Sequence, residues 1–253
     1  MIWTEHALAG DPHRADDKDR RVRAMFSAIA RRYDLNNRLH SFGRDQAWRR
    51  RAVRLADVRP GEHVLDVACG TGDLAEAFAE ARPARVVGLD FAEPMLDLAR
   101  QKAARRGRSE HAPTPEYVHG DAMHLPFDEQ SFDIISIAFG IRNVADPGHV
   151  AGEFHRVLRP GGRVVILEFS EPDHKVLRFF NRIYCAHIMP ITATLIARDR
   201  TGAYRYLPRS VQTFLDRQAL ADLLRDNDFV DVQQHPMTFG VCAATIARKD
   251  RRS

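Results

Sequence analysis

"VLDVACGTGDLA", Val64 to Ala75, is an apolar run that reaches an acidic residue, passes two glycines and opens into an acidic helix start. A strand, a tight turn and a helix in that order point free backbone N–H groups and the positive helix end at a ligand. Gly70, Gly72 and Ala75 satisfy GxGxxA, a permitted dinucleotide fingerprint, so a pyrophosphate is the first ligand to weigh. Asp66 at the strand end and Asp73 at the helix start oppose it, because like charges within about 4–6 Å disfavour one another. A ligand carrying an ammonium and a sulfonium meets no such repulsion.

Outward from this turn, short β-rich runs alternate with helical stretches. "RVVGLD" precedes "EPMLDLARQKAARRG", then come "EYVHGD" and "FDIISIAF", then "GHVAGEFHRVL", and "GRVVILEFS" after the turn "RPGG". Strand–helix repetition with Val and Ile runs predicts an α/β fold with a parallel sheet covered on both faces. After Ser170 about forty residues interrupt the rhythm before "RQALADLLRDNDFVDVQQHP" and a last strand "TFGVCAATIARK". The two final strands suggest a hairpin whose last strand is inserted antiparallel. The insertion, residues 171–215, carries Phe179, Phe180, Tyr184, Ile188, Met189, Tyr204 and Tyr206. It reads either as a substrate-binding lid on the carboxyl edge of the sheet or as helices buried for stability. Residues 1–20 are polar and aperiodic, a flexible tail. Residues 21–60 pattern as amphipathic helices through "VRAMFSAIARRYD" and "QAWRRRAVRLADV".

A chain of 253 residues, 44% of them hydrophobic, suits one domain, here 21–253. The net charge is only +4, but Arg14 to Arg54 holds thirteen Arg and Lys against five Asp. Such a basic face meets nucleic acid, an anionic membrane or only water. No run approaches the roughly 18 apolar residues of a membrane span, and the start lacks the apolar core of a signal peptide, so a cytoplasmic protein is expected. Cys69, Cys185 and Cys242 are widely spaced and unpaired in sequence, suggesting neither a disulfide framework nor a metal site.

The later strand ends extend the ligand reading. S-adenosylmethionine has the ammonium and the sulfonium, and lacks phosphate. Asp90, about twenty residues beyond the glycines, can accept from both ribose hydroxyls. Asp121 can take a proton from an adenine amino group while the Ala122 N–H meets a ring nitrogen, or Asp121 is a turn former or helix cap. Thr71 becomes a cofactor contact and Cys69 a small residue lining the turn. "DVACGTG", "GLD", "GDA" and "LRPGGRVVILE", in that order, resemble class I S-adenosylmethionine methyltransferases. The resemblance implies a Rossmann-like fold, its seven-stranded sheet mostly parallel with an antiparallel last strand, plus an N-terminal helical lid and an insertion after the fifth strand. The first glycine of that family's DxGxGxG is Ala68 here.

"MFSAIARRYDLNNRLHSFGRDQAWRR", "LPFDEQSFDIISIAFGIRNVADP", "RVLRPGGRVVILEFSEP" and "YRYLPRSVQTF" resemble the ubiquinone/menaquinone biosynthesis C-methyltransferases from about Val22 to Val241. That likeness implies ring-carbon methylation of a polyprenylated demethylmenaquinol, or of the related benzoquinol. The other reading is a methyltransferase for another small phenolic or lipid-like molecule. Nucleic acid is not an expected partner, because the position after the fourth strand reads "AFGIRN" where base amino-methylating enzymes carry a Pro-Pro block. A homodimer or a complex of quinone enzymes is left open. The chain departs from the family at Asn36, usually Met, Asp45, usually His, and Ala138, commonly Ser.

Carbon methylation of a hydroquinone needs a ring hydroxyl to lose or share its proton while the ring is aligned with the donor. Arg142 is the first candidate, cast as stabilising the quinolate because a guanidinium stays protonated, or else as an ion pair fixing its loop. Asn143 is expected to orient the hydroxyl or a water. Tyr33 and Asp34 are expected to close over the cofactor, with Asp34 a candidate base and Tyr33 alternatively a packed ring. Asp45 reads as a helix N-cap, and His149, His155 and His187 as surface or packing residues. A lipid substrate and a basic N-terminal face suggest peripheral contact with the inner leaflet of the cytoplasmic membrane.

Overall fold

The computed structural model of the chain describes residues 2–4, 8, 10–106, 112–197, 199 and 201–252. Strands β1 (His63–Val67), β2 (Arg85–Asp90), β3 (Glu116–His119), β4 (Phe132–Ala138), β5 (Leu158–Phe169), β6 (Phe229–Met237) and β7 (Cys242–Lys249) form one sheet ordered β3-β2-β1-β4-β5-β7-β6. β7 runs antiparallel between β5 and β6, while the β1, β2, β3, β4 and β5 pairings are parallel. The expected Rossmann-like arrangement with an inserted antiparallel last strand is therefore present. "RPGG" is not a free turn: it lies inside β5, and the β4–β5 register shifts between Phe132 and Ile134 to absorb it.

The helices are α1 (Lys18–His40), α2 (Arg44–Ala56), α3 (Asp73–Glu80), α4 (Glu93–Arg106), α5 (Pro147–Val157), α6 (Lys175–Ile183), α7 (Met189–Ala197), α8 (Ala203–Thr213) and α9 (Arg217–Asp226). A π-turn, Tyr184–Ile188, joins α6 to α7. Asp146 and Asp216 start α5 and α9 by accepting backbone N–H bonds, with Pro147 pre-set for the first helical turn.

Side-chain alternation along the strands sorts residues onto two faces. Leu65, Val67, Ile135, Ile137, Val164 and Ile166 pack with α5 and α9, whereas Val64, Ile134, Val165 and Leu167 pack with α2 and α3. Each fully buried Leu, Ile, Val or Phe contributes about 1.5–3 kcal/mol, so both faces stabilise the sheet. Asp66 and Ser136 lie opposite one another in the β1–β4 register, two residues on from Val64 and Ile134, and so on the α2/α3 face.

A third apolar cluster roofs the carboxyl edge. Val22, Met25 and Ile29 of α1 meet Ala193 of α7 and Ala203, Tyr204 and Tyr206 of α8, so the N-terminal helix and the insertion form one layer. The stretch expected to be a flexible tail contributes to it. Trp3 is fully buried, stacks on Tyr206 with ring centroids 4.3 Å apart, and its backbone N–H donates to the Thr201 carbonyl. Lys18 is also buried and donates to the Val144 carbonyl, with burial lowering its pKa to about 8. Aromatic stacking of this kind is worth about 0.5–1.5 kcal/mol beyond burial, enough to hold a short terminus down.

Candidate active site

The strand order reverses direction between β1 and β4, and at such a switch point the loops beyond the strand ends part to leave a crevice. The turn after β1 fills the floor of this crevice. Gly70 and Gly72 have positive φ, 55° and 83°, and a Cβ on Gly72 would come 2.3 Å from the Tyr117 hydroxyl. Glycine is thus required at Gly72 on two counts, backbone hand and space. Ala68 is also left-handed, at φ 50°, where the related pattern has glycine.

One cleft is lined by Tyr33, Ala68, Gly70, Asp90, Asp121, Ala122, Ala138 and Asn143, among others, and a smaller pocket beside it by Tyr33, Arg49, Asp66, Gly70, Thr71 and Asp73. The two share Tyr33, Ala68, Gly70 and Ala138, so they form two arms around the glycine turn. Of the residues singled out from the sequence, Asp66, Gly70, Thr71, Asp90, Asp121, Ala122, Tyr33 and Asn143 line one arm or the other, while Gly72 starts α3 behind the turn.

Asp66 is buried; its Oδ1 accepts from Ser136 Oγ at 2.7 Å, and its Oδ2 has no partner among the described residues. Burial pushes its carboxyl up to about 7, with the Ser136 bond and the Arg49 charge pulling the other way. Asp90 takes the Gly70 and Ala92 N–H groups at 2.8 and 2.9 Å, which fixes its carboxylate at the mouth of the turn. A carboxylate has about four acceptor positions, so further donors can still bind it. Asp121 accepts from the Met123 N–H in the turn-forming arrangement and remains exposed beside buried Ala122.

Tyr33 and Asp34 come from α1 above the turn. Asp34 Oδ1 accepts from Thr71 Oγ1 at 2.6 Å, and Asp34 Oδ2 pairs with Lys102 Nζ at 2.7 Å. The same ammonium reaches Asp73 at 2.6 Å and Thr71 Oγ1 at 3.0 Å, and Gln46 donates to Asp73. Helix α1, the turn and α4 are thereby joined through one cation, which Asp34 and Asp73 share. Tyr33 is partly buried and its phenol pKa is raised by burial, so at neutral pH it is a neutral donor.

Arg142 sits in the 3-10 turn after β4 with its Nη1 2.7 Å from both Glu168 Oε1 and the Phe139 carbonyl. It does not face the cleft directly. Of its two expected roles, the geometry is that of the ion pair fixing the loop. Glu168 is the residue at the end of β5 that makes this pair, and its Oε2 has no partner among the described residues. Asn143 does line the cleft: its Nδ2 donates to the Phe139 carbonyl at 3.1 Å and its Oδ1 accepts from Tyr206 at 3.0 Å.

The expected N-cap at Asp45 is corrected. Gly43 occupies the N-cap position of α2, and Asp45, one residue inside the helix, is buried and pairs with Arg49 at 3.1 Å. Asn36 is likewise buried, donating to the Tyr204 hydroxyl at 2.6 Å. Sequence reasoning passed over Arg49, Lys102 and Glu168, and placed Tyr206 only among the aromatics of the insertion. Arg49 and Lys102 lie on arginine- and lysine-rich helices whose charges read as solvated faces; only the apolar neighbours of Arg49, Trp48 and Val53, signalled a buried stripe.

The model of the ubiE/COQ5 methyltransferase family matches residues 14–249. The chain is 47% identical over 223 residues to the demethylmenaquinone methyltransferase of Thermus thermophilus, covering 88% of this chain and 98% of that protein. It is 40% identical over 234 residues to the demethylmenaquinone methyltransferase of Bacillus cereus, covering 92% and 97%. Among solved structures, a SAM-dependent methyltransferase from Thermotoga maritima superposes with a TM-score of 0.63 at 18% identity, covering 90% of this chain and all of that one. Another, from Aquifex aeolicus, has a TM-score of 0.58 at 17% identity, covering 85% and 97%. These two share the fold.

Proposed function

This chain belongs to the ubiE/COQ5 methyltransferase family, and from that premise we propose that it methylates a ring carbon of a polyprenylated demethylmenaquinol, with S-adenosylmethionine as methyl donor. It is a methyltransferase of quinone biosynthesis; the ring and the donor are the finer reading. The observation that carries the donor is Asp66, whose buried Oδ2 lacks a partner among the described residues at the end of β1, where a ligand ammonium would satisfy it.

The rest of the groove fits the same molecule. Asp90, anchored by two backbone N–H groups, would accept from ribose hydroxyls, and Asp121 with Ala122 would border the adenine. Gly70, with open space where a Cβ would stand, leaves the backbone accessible along the methionine part, and Thr71 borders it. When bound, S-adenosylmethionine supplies an electrophilic sulfonium methyl. The chain's own residues supply orientation and dryness. Asn143 keeps one Nδ2 hydrogen free of the Phe139 bond for a quinol oxygen, and Tyr33 offers a neutral hydroxyl across the cleft. Arg142 acts through the loop, its pairing with Glu168 holding the backbone that presents Asn143. Alignment of this sort is a large part of how a bimolecular methyl transfer is accelerated.

A polyprenyl substrate resides in a bilayer, and the insertion exposes Phe179, Phe180, Ile191 and Leu195 at 60–72% of their surface. Among the described residues no helix is long and apolar enough to cross a membrane. Peripheral contact through the insertion, aided by the basic face of α1 and α2, is part of the proposal. Binding to anionic vesicles that weakens with salt supports it, and binding indifferent to salt and lipid charge removes it. A quinone profile of cells lacking the gene tests the reaction: demethylmenaquinone accumulates if the reading is right, and an unchanged profile contradicts it.

A further inference from the structure

We propose that Arg49 is the residue that receives the carboxylate at the amino-acid end of S-adenosylmethionine, opposite Asp66, which receives the ammonium. The assignment rests on that molecule being the cofactor.

Arg49 and Asp66 line the same small pocket beside Thr71 and Gly70. Both are buried, and each carries one atom without a hydrogen-bond partner among the described residues: Nε of Arg49, a donor, and Oδ2 of Asp66, an acceptor. Opposite charges in one pocket ordinarily bond to each other when nothing is to come between them. Here each is bonded elsewhere. Arg49 Nη1 donates to the Asp45 carboxylate and carbonyl at 3.1 and 3.3 Å, while Asp66 takes Ser136. What remains is one cationic and one anionic face in a common space, the complement of a zwitterionic α-amino acid. Buried polar atoms are rarely left unpaired, so two in one pocket point to a ligand that supplies both partners.

The guanidinium is also held for the task. It lies over the Phe139 ring, 5.4 Å from the centroid, and Asp45, which anchors its other edge, is itself fixed by Ser41 and Gln46. A planar fork with five donors can serve Asp45 on one edge and a second carboxylate on another, which a lysine cannot do. The charges demand such a group. Asp66, Asp73 and Asp45 all stand near the pocket, and Asp73 is answered by Lys102. With Lys102 committed to Asp34 and Asp73, Arg49 is the cationic side chain of this pocket's lining that an incoming carboxylate can meet.

Calorimetric titration with S-adenosylmethionine and with its decarboxylated analogue, which keeps the ammonium and the sulfonium, separates this role from a purely structural one. The unaltered protein is expected to prefer S-adenosylmethionine by about tenfold or more. Arg49→Met is expected to weaken S-adenosylmethionine by about 10- to 100-fold and to change the analogue by less than about twofold, erasing the preference. Arg49→Lys, which retains the charge beside Asp45, covers the case in which the methionine variant does not fold and is expected to show a reduced preference. Equal losses for both ligands in the folded variants, or an unchanged affinity for S-adenosylmethionine, overturn the assignment to Arg49 and leave the cofactor standing. An unaltered protein that binds neither ligand overturns the cofactor reading as well.

Discussion

The ammonium of Lys102 lies 2.7 Å from Asp34 Oδ2, and this pair fastens the N-terminal helix α1 to helix α4 beside the glycine turn. Both side chains are about one-third exposed (31% and 29%), which sets the pair nearer a surface bridge, worth about 0–1 kcal/mol, than a buried one. Lys102→Met is therefore expected to raise KM for the methyl donor roughly three- to tenfold and to leave kcat within about twofold. Steady-state kinetics at low and high salt check this, since salt should reproduce part of the effect in the unaltered protein. A fall in kcat with KM unchanged would place Lys102 in the chemical step instead.

Asp66 gives the site its pH dependence. Burial holds its carboxyl at about 7, and only the ionised form attracts an ammonium. Donor affinity should fall as pH drops through about 7, and binding near that pH should release a proton, because the bound cation pulls the carboxyl pKa down. In the free protein the sign is opposite: a carboxyl raised above its unfolded value costs stability as it charges between about pH 4 and 7. Titrations in buffers of different ionisation enthalpy measure the proton, and Asp66→Asn should abolish its release.

The Arg142–Glu168 pair is about 95% buried on both sides. Removing one partner strands a charge, so Arg142→Met is expected to cost about 3 kcal/mol in urea unfolding. The double variant Arg142→Met, Glu168→Leu should recover most of that stability and remain impaired in turnover, because the loop carrying Asn143 loses its tether. Full stability in the single variant would show that the pair does not hold the loop.

Ala68 stands in left-handed backbone at φ 50°, which costs a residue with a Cβ about 1–2 kcal/mol. Ala68→Gly should therefore stabilise the protein by about 0.5–1 kcal/mol after the larger unfolded-state entropy of glycine is set against it. Thermal melts check this, and donor affinity should be unchanged.

What was legible in the sequence lay within local units or at successive strand ends. The strand–turn–helix around Gly70 and Gly72 and the acids at Asp66, Asp90 and Asp121 can be placed from β periodicity alone, because parallel strands present their carboxyl ends to one edge. What was not legible depends on partners far apart in the chain. Trp3 looked like part of a loose tail because Tyr206, on which it stacks, lies on α8. The pairing of Asp34 with Lys102 is not legible, because Lys102 sits on a helix with no apolar signature of burial at that position. For Arg142 the sequence offers both a quinolate contact and an ion pair, and it does not name the pair's partner, Glu168, which stands on the neighbouring strand.

The reaction proposed is transfer of a methyl group to a quinol ring carbon. Purified protein incubated with S-adenosylmethionine carrying an isotopically labelled methyl and with reduced demethylmenaquinone in detergent or vesicles tests it most directly, by mass spectrometry of the extracted quinone. Menaquinone bearing the label on a ring carbon is expected, with product lost in Asp66→Asn. Label on a ring oxygen, or none on any prenylated quinol, would contradict it.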